Sequence, residues 1–184
     1  MPITPDDKDW TWVLERPCPE CGFDPAAVGY RDVPELTRDN VGAWQRAISG
    51  VVGVDVRPDD STWSPLEYAA HVRDVFRIMH ARLNLMLVLH DPEFASWDQD
   101  ETAVEQDYNG QDPSRVVIDL TTAGLALADA FEAVPDASLR RSGRRSNGSM
   151  FTVETLASYF LHDAVHHRWD VTGEAFAAGG AAGS

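Results

Sequence analysis

Residues 161–170, LHDAVHHRWD, contain three of the six histidines in the chain and two of its aspartates. Imidazole and carboxylate groups are common ligands of divalent transition metals in proteins. Two pairs in this segment are four residues apart, a spacing that puts both members on one face of a helix. The two pairs are His162 with His166 and Asp163 with His167. The segment therefore predicts a metal site on a helix, with two alternative ligand pairs.

The apolar residues of this helix favour one pair over the other. Because successive helix residues turn by about 100°, His167 falls roughly 40° and Asp163 roughly 80° from the middle of the apolar face. His162 and His166 fall at about 180° and 140°, on the side expected to face solvent. We therefore expect Asp163 and His167 to bind the metal, with His162 and His166 as the alternates. Asp170 lies on the flank of Asp163, where it would orient an imidazole or act as a base.

A third ligand is expected from another helix, because two residues on one helix leave most of the coordination sphere open. His71 is the candidate, since it lies two turns into a helix whose start is marked by Ser64 and Pro65. His80 and His90 have no companion at ligand spacing. The predicted site therefore joins His71 to the pair on the last helix.

The two cysteines of the chain, Cys18 and Cys21, are separated by two residues. In a cytosolic protein this spacing is more typical of half a zinc site or of a redox pair than of a structural disulfide. A tetrahedral zinc site would need two further ligands, and the sequence contains no second pair of this kind. The assignment is therefore open between a second metal site, a redox pair and two free thiols.

Four amphipathic segments are predicted as the helices that position these residues. Ser64, Pro65 and Glu67 form a capping box at the start of the second helix, and Thr152 caps the last. The predicted helices cover about 34–54, 65–89, 113–134 and 152–171. No alternating strand pattern accompanies them. The sequence therefore predicts an all-α four-helix bundle, whose sites are built from side chains that project inward.

Three regions of the chain are distinguished by their composition. They are an N-terminal arm at 1–33, the bundle at 34–172 and a flexible, low-complexity tail at 173–184. Trp10 and Trp12 are expected to fix the arm, which carries the two cysteines, against the bundle. The acidic connection at 91–112 has a length that compact domains usually reserve for binding or for covering a site.

The segment 136–150 is expected to be a solvated loop with a local positive charge. It carries four arginines between glycine and serine residues. Two of them, Arg144 and Arg145, are candidates for binding the carboxylates of a cofactor or substrate.

The overall charge of the chain excludes several classes of partner. Thirty Asp and Glu residues against fifteen Lys and Arg give a formal net charge of −15. This charge repels phosphate backbones and anionic lipid surfaces, so neither nucleic acid nor membrane is expected as a partner.

The first thirty residues lack the pattern of a signal peptide, and no apolar stretch approaches eighteen residues. A cytoplasmic location is therefore expected.

These residues together resemble the pattern of the DinB-like superfamily of metal-binding four-helix bundles. That superfamily includes mycothiol-dependent maleylpyruvate isomerases and thiol S-transferases. The matching residues are Trp63, Ser64, Pro65, Glu67 and His71 at the second helix, and Asp163, His167 and Asp170 on the last. The resemblance covers about residues 34–172. The sequence departs from the pattern at Asp163, where relatives most often have His or Glu.

The resemblance implies a divalent metal, with zinc expected first and nickel or iron(II) also compatible with such ligands. It further implies a thiol-dependent S-transferase or isomerase that activates a mycothiol-type small-molecule thiol on the metal and directs it at an electrophilic substrate. The alternative is a non-catalytic metal-binding stress or regulatory protein, which would form a homodimer through faces of the bundle.

Overall fold

Within residues 10–177, the protein consists of four long α-helices, one short α-helix and a small sheet. The computed structural model describes residues 10–177. In chain order the elements are α1 (Val33–Ile48), α2 (Pro65–Val88), β1 (Glu93–Phe94), α3 (Gln99–Glu105), α4 (Pro113–Glu132), β2 (Ser142–Arg145), β3 (Met150–Thr152) and α5 (Val153–Thr172). The long helices are the four that the sequence predicts. Helix α1 ends at Ile48 rather than near Val54, because Ser49 leaves the helical conformation and Gly50 follows in the left-handed region.

The ends of the helices follow the signals in the sequence. At α2, the Ser64 hydroxyl accepts a hydrogen bond from the Glu67 amide, and the Glu67 carboxylate accepts one from the Ser64 amide. At α5, the Thr152 hydroxyl accepts from the amide of Thr155, and Gly173 ends the helix with a φ of 69°. These caps fix the register of the two helices that carry the predicted ligands.

The bundle forms because α4 and α5 each pack against both α1 and α2. Its core contains large, fully buried side chains, among them Trp44, Phe76, Phe131 and Phe160. Helix α4 approaches α1 closely at Gly124, where a Cβ atom would lie 2.3 Å from Val41 Cγ2. The predicted four-helix bundle is therefore confirmed.

The sequence predicts an all-α fold, but the structure also contains a small sheet of three strands. Strand β2 pairs in parallel with β1 and antiparallel with β3. The strands have only two to four residues, too few for the alternation by which strands are recognised in a sequence. The arginine-rich segment is consequently part of a strand and a hairpin, rather than the loop that was expected.

The N-terminal arm is held against α5. Its described part, residues 10–33, contains three 3₁₀ turns, Trp10–Leu14, Pro25–Ala27 and Tyr30–Asp32. The ring centroids of Trp10 and Trp12 lie 5.6 and 6.4 Å from that of His162, in agreement with their expected role.

The start of the predicted tail contacts the arm. The Phe176 amide donates to the Cys21 carbonyl at 2.7 Å, and its ring lies 5.4 Å from Phe23. Residues 1–9 of the predicted arm and 178–184 of the predicted tail lie outside the described residues. No helix within 10–177 combines the length and hydrophobicity that crossing a membrane requires.

Candidate metal centre

The structure brings His71 of α2 next to Asp163 and His167 of α5. The His167 Nε2 atom lies 3.0 Å from the Asp163 carboxylate, and the His71 Nε2 atom lies 3.8 Å from the same oxygen. The two imidazole rings are 4.7 Å apart and almost perpendicular. One ligand atom from each residue lies within 4.8 Å of the others, so a single divalent ion could contact all three.

The surroundings of His71 fit a metal ligand. The side chain is fully buried, and neither ring nitrogen has a hydrogen-bond partner among the described residues. The Asp163 oxygen at 3.8 Å is beyond hydrogen-bonding distance. Burial lowers the pKa of His71, which keeps the imidazole in its neutral, metal-binding form. Leaving a buried polar group unsatisfied costs about 1–3 kcal/mol, and a bound cation would remove that cost.

Asp170 orients His167. Its Oδ2 atom lies 2.9 Å from His167 Nδ1, so Nδ1–H donates to the carboxylate and Nε2 is directed at Asp163. This carboxylate–imidazole contact is the arrangement that fixes metal-binding histidines in the required tautomer. The predicted orienting role of Asp170 therefore agrees with its geometry.

Contacts between His167 and Asp163 shift their pKa values in opposite directions. Burial alone would lower the pKa of His167, but its hydrogen bonds to Asp163 and Asp170 outweigh burial and raise the pKa to about 9. Burial would raise the pKa of Asp163, but its hydrogen bond to His167 and the nearby His71 imidazole hold that pKa well below the ordinary value. The two shifts favour a protonated His167 paired with an ionised Asp163.

The first turn of α2, which sets the position of His71, is fixed by contacts on both sides. Arg57 forms an ion pair with the capping carboxylate of Glu67, and its Nε donates to Glu67 at 2.8 Å. The Ser64 hydroxyl donates to the Asn109 side-chain oxygen at 2.6 Å. Of the two residues Glu67 and His71 in the motif that resembles the DinB-like pattern, Glu67 therefore caps the helix, and His71 lies in the cluster.

The acidic connection between α2 and α4 covers the site, one of the two roles expected from its length. The Trp97 ring stacks on His71 with centroids 5.1 Å apart and an angle of 8°, and its indole N–H donates to Thr102 at 2.7 Å. Further along, the Tyr108 hydroxyl donates to the buried Asp74 carboxylate at 2.7 Å. These contacts fasten the connection to α2 at both the site and its far end.

One side of the cluster remains accessible. The side chains of Asp163 and His167 are 25% and 18% exposed to solvent, whereas that of His71 is fully buried. Trp63 and Tyr68 flank the cluster, with ring centroids 5.3 Å from His71 and His167 respectively. Water or a small substrate can therefore approach from the α5 side of the cluster.

The two candidate arginines have different surroundings. Arg144 pairs with Asp91 at 3.0 Å and with Glu93 at 3.2 Å. Arg145 lies over the rings of Phe151 and Tyr159, with its guanidinium carbon 5.2 and 5.0 Å from their centroids. The structure therefore places Arg144 in ion pairs of the sheet and Arg145 against aromatic rings.

A third arginine, Arg82 of α2, is buried near Arg145 and was not singled out from the sequence. Its guanidinium donates to the carbonyl of Ala95 at 3.0 Å and lies 5.0 Å from the Phe94 ring centroid. Burial and the charge of Arg145 lower the pKa of Arg82 to about 10, while the charge of Asp163 opposes this change. Arg82 thus adds positive charge near Asp163.

His162 and His166 lie away from the predicted site, and the expectation that they face solvent is wrong. They keep only 3% and 8% of their exposure, because the N-terminal arm covers this side of α5. One ligand atom from each lies within 4.8 Å of the Sγ atoms of Cys18 and Cys21. The alternates for Asp163 therefore belong to a separate cluster, and neither His80 nor His90 joins a cluster within residues 10–177.

A signal for this second cluster was present in the sequence. A Cys-x2-Cys pair together with a His-x3-His pair is the ligand spacing of Cys2His2 zinc sites. The two halves lie at opposite ends of the chain, so the pattern is recognisable only if distant segments are compared. The lack of a second cysteine pair therefore does not exclude a zinc site, because two histidines can complete it.

Comparisons with known proteins identify the fold. No protein-family model matches the chain, and no curated protein sequence matches it significantly. The structure of YfiT from Bacillus subtilis is similar, with a TM-score of 0.71 at 18% sequence identity over 78% of this chain and 84% of YfiT. YfiT is described as a probable metal-dependent hydrolase with an unusual four-helix bundle topology. The chain therefore has the four-helix-bundle fold of YfiT, the fold that its resemblance to the DinB-like superfamily implies.

Proposed function

We propose that the protein is a metal-dependent enzyme whose divalent ion is held by His71, Asp163 and His167. The observation that carries this proposal is the fully buried His71 imidazole, whose two ring nitrogens lack a hydrogen-bond partner while they face a histidine and a carboxylate. Three ligands leave positions open on a divalent ion, whereas closed structural zinc sites have four. The partial exposure of Asp163 and His167 supports access of a substrate to those positions.

We further propose that the reaction is a thiol-dependent S-transfer or isomerisation. A divalent ion at this position would supply Lewis-acid chemistry, lowering the pKa of a bound thiol or water. The resemblance to mycothiol-dependent enzymes supports a small-molecule thiol as the nucleophile. The buried Arg82 supports an anionic thiol or substrate, since its positive charge interacts with the charge of Asp163.

The residues around the cluster have distinct parts in this proposal. Asp170 is a positioning residue, because it keeps His167 in the tautomer whose Nε2 can bind a metal. Trp63 and Trp97 exclude water from the buried side of His71. Tyr68 forms part of the wall beside His167, where a substrate would enter.

Hydrolysis is the second candidate reaction, and the structural likeness to YfiT favours it. The same open positions would then take water instead of a thiol. The two reactions differ in one requirement, since only the S-transfer or isomerisation depends on an added thiol.

The test uses protein loaded with zinc, nickel or iron(II) in turn. The loss of the electrophile monochlorobimane is followed with mycothiol, cysteine or glutathione, and hydrolysis of a p-nitrophenyl ester is followed without thiol. We expect thiol-dependent turnover that His167→Ala abolishes and His90→Ala retains, because His90 is exposed and lies outside both clusters. Ester hydrolysis without thiol, equally sensitive to His167→Ala, would support the hydrolase. Stoichiometric metal without turnover in either assay would contradict both and favour the non-catalytic, dimeric alternative.

A further inference from the structure

We propose that Cys18, Cys21, His162 and His166 form a second, closed zinc site, which fastens the N-terminal arm to α5. The four side chains supply two thiolates and two imidazoles, the donor set of tetrahedral structural zinc sites. This site would be separate from the open cluster of the proposed enzyme. It would serve the fold and leave no position for a substrate.

The distances fit a tetrahedral ion. Zinc–sulfur bonds of about 2.3 Å and zinc–nitrogen bonds of about 2.0–2.1 Å at tetrahedral angles place sulfur and nitrogen about 3.6 Å apart. The Cys18 Sγ atom lies 3.7 Å from His166 Nδ1. One ligand atom from each of the four residues lies within 4.8 Å of the other three. An ion could therefore bind with small adjustments of side chains alone.

The burial of these groups also indicates a ligand. Cys18 and Cys21 keep 2% and 0% of their exposure and form no disulfide. The Nε2 atom of His162 is buried and has no hydrogen-bond partner in the described part of the chain. Buried polar groups in proteins are nearly always paired, and a zinc ion would pair all of these at once.

The backbone of the arm presents both thiols from one turn. The Gly22 amide donates to the Cys18 carbonyl at 3.0 Å, and the Cys18 amide donates to the Phe23 carbonyl at 2.8 Å. Gly22 follows the second cysteine with a φ of 76°, a conformation that favours glycine. The turn thus folds the Cys-Pro-Glu-Cys segment back on itself and brings the two sulfur atoms together.

Two carboxylates lie beside the outer nitrogen of His166. Its Nε2 atom is 3.5 Å from Glu20 and 3.8 Å from Asp170, while Nδ1 faces Cys18. This arrangement suits an imidazole that binds metal through Nδ1 and directs its other N–H to acceptors. Trp10 and Trp169 enclose the same ring, with centroids 5.1 and 5.6 Å away, so solvent is largely excluded.

The second site would also brace the proposed active site. His162 and His166 immediately precede Asp163 and His167 along α5, so an ion bound to the first pair restrains the rotation of the helix that presents the second. Asp170 contacts both clusters, with Oδ2 on His167 and Oδ1 near His166. Zinc in the second site would therefore stabilise the arm, α5 and the open cluster together.

The first test is the metal content of purified protein, measured by plasma mass spectrometry and repeated after cobalt(II) substitution. We expect about two ions per chain in the parent. Cys18→Ser/Cys21→Ser and His162→Ala should each lose one ion and the sulfur-to-cobalt charge-transfer band. His71→Ala should lose the other ion and keep the band, and His90→Ala should keep both. Retention of both ions by the double cysteine variant would overturn the proposal.

A second measurement needs no variant and so does not depend on whether the variants fold. X-ray absorption at the zinc edge of the parent should show sulfur scatterers at about 2.3 Å. Thiol titration of the native protein should show both cysteines protected until a chelator removes zinc. A zinc shell without sulfur, or thiols equally reactive before and after chelation, would overturn the second site and leave the proposed enzyme untouched.

Discussion

Asp170 provides the sharpest test of how the open cluster works, because it acts on the metal of that cluster through His167 and not as a ligand. Its carboxylate accepts a hydrogen bond from His167 Nδ1 at 2.9 Å, and its side chain keeps 19% of its exposure. A hydrogen bond to a charged group contributes about 1.5–3 kcal/mol and one between neutral groups about 0.5–1.5 kcal/mol. Asp170→Asn removes the charge but keeps an acceptor, so we expect a loss of about 1 kcal/mol, roughly fivefold in metal affinity.

Asp170→Ala removes the acceptor as well and should weaken binding by about 10–100-fold, the usual effect of losing such an orienting carboxylate. The assay is competition for cobalt(II) against a chromophoric chelator, in which the sulfur-containing site is followed separately by its charge-transfer band. Glu154→Gln is the matched control, since Glu154 is an exposed carboxylate in the first turn of the same helix. Equal affinities in the parent, Asp170→Asn and Asp170→Ala would refute the orienting role.

Three further predictions concern stability, each measured by chemical denaturation. Gly124→Ala should destabilise the fold by about 1–3 kcal/mol, because the new methyl group would lie 2.7 Å from Phe76, and a more stable variant would contradict the packing. Tyr108→Phe should cost about 1–3 kcal/mol by removing the hydroxyl donor to buried Asp74, and an unchanged stability would contradict that contact. In metal-free protein, the pKa of His167 is raised from 6.5 to about 9, so its stabilising effect, about 3 kcal/mol, is complete below pH 6.5 and is lost as pH rises through 9. The free energy of unfolding of His167→Gln should not fall in this pH range, and parallel pH profiles of stability for parent and variant would contradict the prediction.

The sequence predicted the long helices well because their ends carry local signals. Ser64 and Thr152 cap helices where expected, and the capped registers then determine which side chains meet. That reasoning placed His71, Asp163 and His167 together, and the structure brings them within ligand distance. Metal binding at these residues itself stays a prediction.

The failures arose where distant segments decide the structure. A helical wheel assigned His162 and His166 to the solvent side, but the arm covers that side and buries both. Strand β1 depends on pairing with residues about fifty positions away, as in Glu93 opposite Arg144, and the local hairpin of β2 and β3 is too short to show a strand pattern. Local rules describe the helices, whereas the arm and the sheet follow from tertiary contacts.

The central claim is that a divalent ion is bound by the open cluster, and anomalous diffraction at a metal absorption edge tests it most directly. Crystals of the parent protein, grown with zinc, would be compared with crystals of His71→Ala. We predict an anomalous peak between His71 Nε2, Asp163 and His167 Nε2 that disappears in the variant. A peak confined to the cysteine cluster, or the same peak in the variant, would contradict the account.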